Sequence, residues 1–201
     1  MGVRDPPSQT DALGFRLQAC TVYIRLGHME HPERVRRVAL LCCHCLRNIA
    51  FYRAGWQHGA LRISRQFWIG ANANALDVAV LDWCKLFADR KSKHHWRRVV
   101  ADHSAFLKDL YAALQVTDKE YRAVVRSVLR YRNKFVAHLD EERVMNIPRM
   151  RLLRKSSAFL YNRLRSDAVQ QLPLGDAPAT AAHHYAFMYR QAIQEHDSHA
   201  K

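Results

Sequence analysis

The sequence predicts an all-α, single-domain bundle of five to six helices, and three observations carry that reading. Gly and Pro are scarce, at 7 and 6 in 201 residues, and they gather at the ends and between segments, as in helices joined by short loops. No stretch alternates apolar and polar residues over a convincing strand length. Thr117-Asp118-Lys119-Glu120 is a capping box, the strongest boundary signal in the chain. A hydrophobic share of 49% with 25% charged residues is globular rather than disordered or fibrous, and the length suits one domain.

The elements follow in order. Residues 1–12 read as a disordered leader, 13–172 as the helical domain, and 173–201 as a linker with a terminal helix. Segment 13–28 has a β-branched middle and reads only weakly as a short helix. His31-Pro32-Glu33 opens a helix that runs to about Gly55, with Pro32 suited to the first turn. Ser64 is a fair N-cap for a helix reaching residue 88. The basic stretch Arg90 to Arg98 (RKSKHHWRR) forms a loop, and a helix then runs from about Trp96 to Gln115. The capped helix should extend from 117 through His138, and another fits 149–171. Pro173 to Ala181 is linker-like, and 182–196 reads as a terminal helix or a mobile tail.

The chain holds 32 Lys+Arg against 18 Asp+Glu, a formal net charge of +14. No apolar run approaches the ~18–20 residues that span a bilayer, so no membrane partner is expected. An excess of this size points to a polyanion. The five cysteines, three of them within Cys42-Cys43-His44-Cys45, do not form a disulfide framework and suit a reducing cytoplasm. On a helix, consecutive side chains fan out by about 100° each, so these four cannot close one zinc tetrahedron. Buried cysteines acting as small hydrophobes are the better reading, and neither metal nor cofactor is expected.

On the capped helix, Tyr121, Val125, Val128, Phe135 and Leu139 form one stripe. Arg132 falls inside it, with His138 on one flank and Asn133 on the other. A guanidinium in an apolar stripe needs an anion. The helix at 64–88 carries Trp68, Ala75, Ala79 and Leu86 on its own stripe, with Asp82 among them and Asp77 pointing away. A structural ion pair between Arg132 and Asp82 is therefore expected.

Arg132-Asn133-Lys134-Phe135-Val136-Ala137-His138 resembles the R-x₄₋₆-H motif of HEPN (higher eukaryotes and prokaryotes nucleotide-binding) domains, in which a polar residue directly follows the Arg. The resemblance implies a helical bundle, two-fold dimers and, in many members, metal-independent RNase activity in toxin–antitoxin, abortive-infection or antiviral systems. Some members extend the motif to a Tyr two residues after the His; Asp140 stands there in this chain. Transferred residue by residue, His138 is the general base on a ribose 2′-hydroxyl, Arg132 stabilises the phosphorane, and Asn133 orients the phosphate or the imidazole. On an ideal helix Arg132 and His138 lie about 120° apart, so a homodimer apposing two copies is expected to complete the site. The expected partners are RNA, a second copy and a cognate antitoxin. The alternative is a catalytically silent HEPN-like binding or dimerisation module, in which Arg132 is an ion-pair residue and His138 meets the helix dipole.

Two basic clusters supply candidate RNA contacts. In the first, Arg90, Lys91, Lys93, Arg97 and Arg98 would meet phosphates while Trp96 stacks on a base. Arg149, Arg151, Arg154 and Lys155 form the second.

Overall fold

The computed structural model describes residues 30–137, 146–168 and 176–200. The leader and the 13–28 segment lie outside these, as does His138. The described residues form an all-α bundle of six helices with one minor hairpin. Helix α1 (His31–Ala54) is the hub, and α2 (Gln66–Trp83), α5 (Met150–Ala168) and α6 (Ala181–His199) all pack along it. Helices α3 (His103–Leu114) and α4 (Asp118–Tyr131) close the remaining side, with α3 on α5. No helix among the described residues is long and apolar enough to cross a membrane.

The core runs through α1, whose Val38, Cys42, Cys45, Leu46 and Ile49 are fully buried, to Trp83 and Leu86 and on to Leu153, Leu160 and Tyr161. Trp83 is anchored by chemistry as well as by area. Its indole N–H donates to Ser156 Oγ at 2.8 Å, joining α2 to α5 inside the core. Ser156 in turn donates to the Leu152 carbonyl at 2.9 Å, so no polar atom of the pair is stranded.

The boundaries show local chemistry at work. Gly55 follows the last residue of α1, and the position must be glycine because the Asn72 side chain occupies the space a Cβ would need, with Asn72 Nδ2 only 2.0 Å from that position. Asn72 donates to the Tyr52 carbonyl (2.8 Å) and accepts from the Trp56 indole (3.1 Å). A two-residue hairpin follows, β1 (Trp56–Gln57) against β2 (Ala60–Leu61), turning on His58 and Gly59 at φ of 50° and 82°. Two successive positive φ values match the strand twist of a tight hairpin. This ladder is too short for any alternation to reveal.

Three expected boundaries move. Helix α2 starts at Gln66 after an Arg65 that makes no side-chain cap, rather than at a Ser64 cap. The expected helix from Trp96 is two pieces. Residues 96–98 form a single 3₁₀ turn, and α3 begins only where Asp102 accepts from the N–H groups of Ser104 and Ala105 (3.0 and 2.9 Å). The terminal segment is a full helix, α6, capped by Thr180. The Thr117 box is present in both directions, with Glu120 accepting from the Thr117 N–H at 2.7 Å and Thr117 Oγ1 accepting from the Glu120 N–H at 3.2 Å.

Candidate functional site

The Arg132 segment departs from ideal α geometry at the first residue of its motif. Helix α4 ends at Tyr131, and Arg132–Ala137 continues as a π-helical turn. A second π-helical turn, Cys84–Ala88, extends α2. Each widened turn slips the side-chain phase relative to a 3.6-residue helix, and such turns concentrate at functional sites. The ~120° separation expected of Arg132 and His138 falls outside the described residues, because His138 is not among them.

Tyr131 is buried and its hydroxyl donates to Asp77 at 2.8 Å, tying α4 to α2. The Phe135 ring lies tilted beside it, with ring centroids 5.5 Å apart. Half-buried Arg132 turns to its neighbour: Nε and Nη2 both donate to Asn133 Oδ1, at 3.0 and 2.9 Å. Arg132 and Asn133 thus form one locked fork, with Asn133 on the exposed side.

The expected Arg132–Asp82 ion pair does not form. Asp82 is buried and takes Lys85 Nζ at 3.2 Å instead. Burial pushes the Asp82 carboxyl upward, opposed by Lys85, His44 and Arg47. The reason is rotational. Asp77 is the α2 carboxylate that faces α4, and five residues along a helix turn Asp82 some ~140° away from it. Arg132 makes itself felt elsewhere. Burial pushes the Cys84 thiol up to about 11, and the Arg132 charge opposes that rise.

The basic loop is built around a buried imidazole. His95 Nδ1 accepts from the Arg97 N–H, and Nε2 meets the Phe87 carbonyl, each at 3.2 Å. This arrangement fixes the neutral tautomer with its proton on Nε2. Burial lowers the His95 pKa to about 4, with Arg97 and Arg90 adding to the fall and the Phe87 carbonyl resisting it. Arg90, Lys91, Lys93, Arg97 and Arg98 all stand exposed around it.

Trp96 does not share that exposure, and its expected base-stacking role is overturned. It is 3% exposed and stacked on Phe106 at 4.5 Å, with the Arg97 guanidinium 5.2 Å above its ring. An apolar ring beside a helix start is worth more in the core than in water. The second cluster also divides. Arg149 and Arg151 are exposed, whereas Arg154 lies over the Tyr185 ring at 4.8 Å and serves packing against α6.

Sequence reading missed a line of three arginines. Arg122, Arg126 and Arg130 are exposed on α4 at four-residue intervals, about 6 Å apart along the axis. Its four-residue spacing on a capped helix was the signal that could have revealed it. Its first two members share a cleft of about 330 Å³ with Arg90 and Arg97. Tyr121 also lines that cleft, and its buried hydroxyl has no hydrogen-bond partner among the described residues. Arg122 is steadied by Asp118 at 2.8 Å. Loop and helix together bring four arginines to the rim of this cleft, with Asp118 among them.

The cysteine cluster is structural. Cys42, Cys43 and Cys45 are buried, while His44 between them is exposed. Cys45 donates to the Ala79 carbonyl at 3.5 Å and accepts from Ser157 at 3.4 Å. Burial drives the Cys43 and Cys45 thiols up to about 11 and about 12, which suppresses the nucleophilic thiolate. Among the described residues, no group of His, Cys, Asp and Glu is placed to hold a metal ion.

No protein-family model matches the chain, and neither does any curated protein or solved structure.

Proposed function

We propose that this protein is a metal-independent RNA endonuclease of the HEPN type, working in the reducing cytoplasm as a toxin or antiviral effector held in check by an antitoxin. The observation that carries the proposal is the Arg132–Asn133 fork, set in a π-helical turn that continues α4, the helix whose exposed face carries Arg122, Arg126 and Arg130. The exposed arginines hold a polyanion against α4, the helix that leads into the fork's segment.

His138 removes the proton from a ribose 2′-hydroxyl, and the 2′ oxygen forms a bond to phosphorus. Arg132 stabilises the added negative charge on the non-bridging oxygens through its planar donors. The P–O5′ bond breaks, the departing 5′ oxygen takes a proton, and a 2′,3′-cyclic phosphate remains. A two-fold dimer brings each fork to the imidazole of its partner.

The test is cleavage of a 5′-labelled single-stranded RNA by the purified protein in EDTA. A 2′,3′-cyclic phosphate terminus is expected, with Arg132→Ala and His138→Ala each losing at least ~100-fold in rate while retaining the wild-type circular dichroism. Activity that survives His138→Ala, or disappears in EDTA, refutes the reading. One observation favours a second reading, a silent binding module. Asn133 already occupies two Arg132 donors, as a purely structural residue would. That reading requires an inactive wild-type protein whose dimer dissociates on Arg132→Ala.

A further inference from the structure

The cleft of about 330 Å³ between the basic loop and α4 draws its arginines from separate parts of the chain. Arg90 stands in the loop that follows the Cys84–Ala88 turn, Arg97 in the 96–98 turn, and Arg122 and Arg126 on α4. All of them are exposed. The lining sets one carboxylate against them, Asp118, and its charge is already taken. Asp118 pairs with Arg122 at 2.8 Å and accepts from the Tyr111 hydroxyl at 2.9 Å. Asp89, next to Arg90 in the chain, does not line the cleft and accepts from the Lys91 N–H at 3.1 Å. Among the described residues, no salt bridge holds Arg90, Arg97 or Arg126.

Like charges gathered in one cleft repel one another, and an anion placed between them relieves the repulsion. The fields of these arginines overlap. Burial lowers the His95 imidazole, and Arg97 and Arg90 both add to the fall. Burial and Asp118 raise the Tyr111 hydroxyl, and Arg122 and Arg97 both oppose the rise. With His95 neutral, the lining carries four guanidinium groups against one carboxylate, a formal excess of +3. That excess distinguishes one kind of phosphate from another. An internal phosphodiester brings a single negative charge, a terminal phosphate nearly two, and a polyphosphate more. Planar guanidinium donors also match the free oxygens of a terminal phosphate in pairs. The remaining wall is apolar, with Leu107, Tyr111 and Val125 half-buried in it, and suits the ribose and base that carry the phosphate.

We infer that this cleft binds the 5′-phosphorylated end of a single-stranded RNA, a 5′-triphosphate above all, with Arg90, Arg97 and Arg126 on the phosphates. The choice of RNA over a free nucleotide rests on α4. The helix carries a further exposed arginine, Arg130, beyond the cleft, which a chain can meet and a mononucleotide cannot. The inference goes beyond the proposed RNase reading. Arg132 is not part of this lining, and binding here does not require cleavage.

The test uses a 2′-O-methyl oligoribonucleotide, which 2′-hydroxyl attack cannot cleave, so its result is independent of any RNase activity. The oligonucleotide is labelled at its 3′ end, carries either a 5′-triphosphate or a 5′-hydroxyl, and is titrated by fluorescence anisotropy at fixed salt. The triphosphate form is expected to bind at least about tenfold tighter. Arg90→Gln combined with Arg126→Gln, both at exposed positions, removes most of that ratio. Arg149→Gln combined with Arg151→Gln, the same loss of charge outside the cleft, leaves it intact. Equal wild-type affinity for the two ends overturns the inference without recourse to any variant. A ratio that survives Arg90→Gln with Arg126→Gln, or falls equally in both double variants, overturns it too. GTP that displaces the oligonucleotide as tightly as the oligonucleotide itself binds also overturns it, by assigning the cleft to a free nucleotide.

Discussion

His95 shows how much one buried ring decides. It latches the basic loop to the end of the α2 extension, and its Nδ1 must stay unprotonated to accept from the Arg97 N–H. A folded pKa of about 4 stands against an ordinary value of 6.5. Between those two values the unfolded chain binds a proton that the folded chain refuses. Stability is therefore full above about pH 7 and falls as the pH drops through that window, by up to about 3 kcal/mol. His94, His184 and His196 are also held low by burial and steepen the same fall. Chemical denaturation between pH 4 and 7.5 should show this slope. His95→Gln should flatten it by about one proton's share; an unchanged slope would show that the latch carries no linkage. Residue chemistry of this kind was only partly legible in the sequence. Arg132 was visible as a charge in an apolar stripe, but Asp82 was the wrong partner, because a one-dimensional pattern does not say which α2 carboxylate faces α4. Tyr131 and Asp77 hold that place. Trp96 read as an exposed stacking ring because its neighbours are charged, and charge in flanking residues says nothing about where an indole points.

Among the elements, the one with a complete local signal was read well, whereas the single-residue cap expected at Ser64 was not. The Thr117 box starts α4 where its four residues require, since its partners are three positions apart and need no tertiary contact. Thr117→Ala should lower stability by about 1 kcal/mol, measured by urea denaturation, with α4 fraying first in hydrogen exchange. The opposite case is the Trp83–Ser156 bond between α2 and α5, which joins residues far apart in the chain and leaves no local trace. Ser156→Ala strands a buried indole N–H and should cost about 1–3 kcal/mol. A loss well under 1 kcal/mol would mean that the indole finds another acceptor. The two π-helical turns were equally hidden. No residue preference marks a π-helical turn, and the contact that ties the end of α4 to α2, Tyr131 to Asp77, joins residues 54 positions apart.

At the scale of the molecule, the net charge of +14 resolves into a surface with direction. Arg122, Arg126 and Arg130 run along α4, and the 89–98 loop flanks their beginning. Binding of single-stranded RNA should weaken with salt. Replacing the three arginines by Gln should reduce the slope of log K against log salt by about 2, in a fluorescence-anisotropy titration. A slope that does not change would place the RNA on another face. The all-α class itself was legible because helix punctuation is a property of the whole chain, and the scarcity of Gly and Pro expressed it directly.

The central position of α1 has a consequence for how the protein is made. Helix α6 packs along α1, and His184 approaches the Cys43 carbonyl at 3.1 Å across 141 residues of chain. Arg36 likewise meets Asp176 in a paired contact at 2.9 and 2.7 Å. During synthesis α1 leaves the ribosome long before either partner exists. At ordinary elongation rates its apolar sides wait on the order of 10 s for α5 and α6. Until α6 emerges, α1 has no partner for the side it turns toward that helix, so the α1–α6 packing can close only at the end of synthesis.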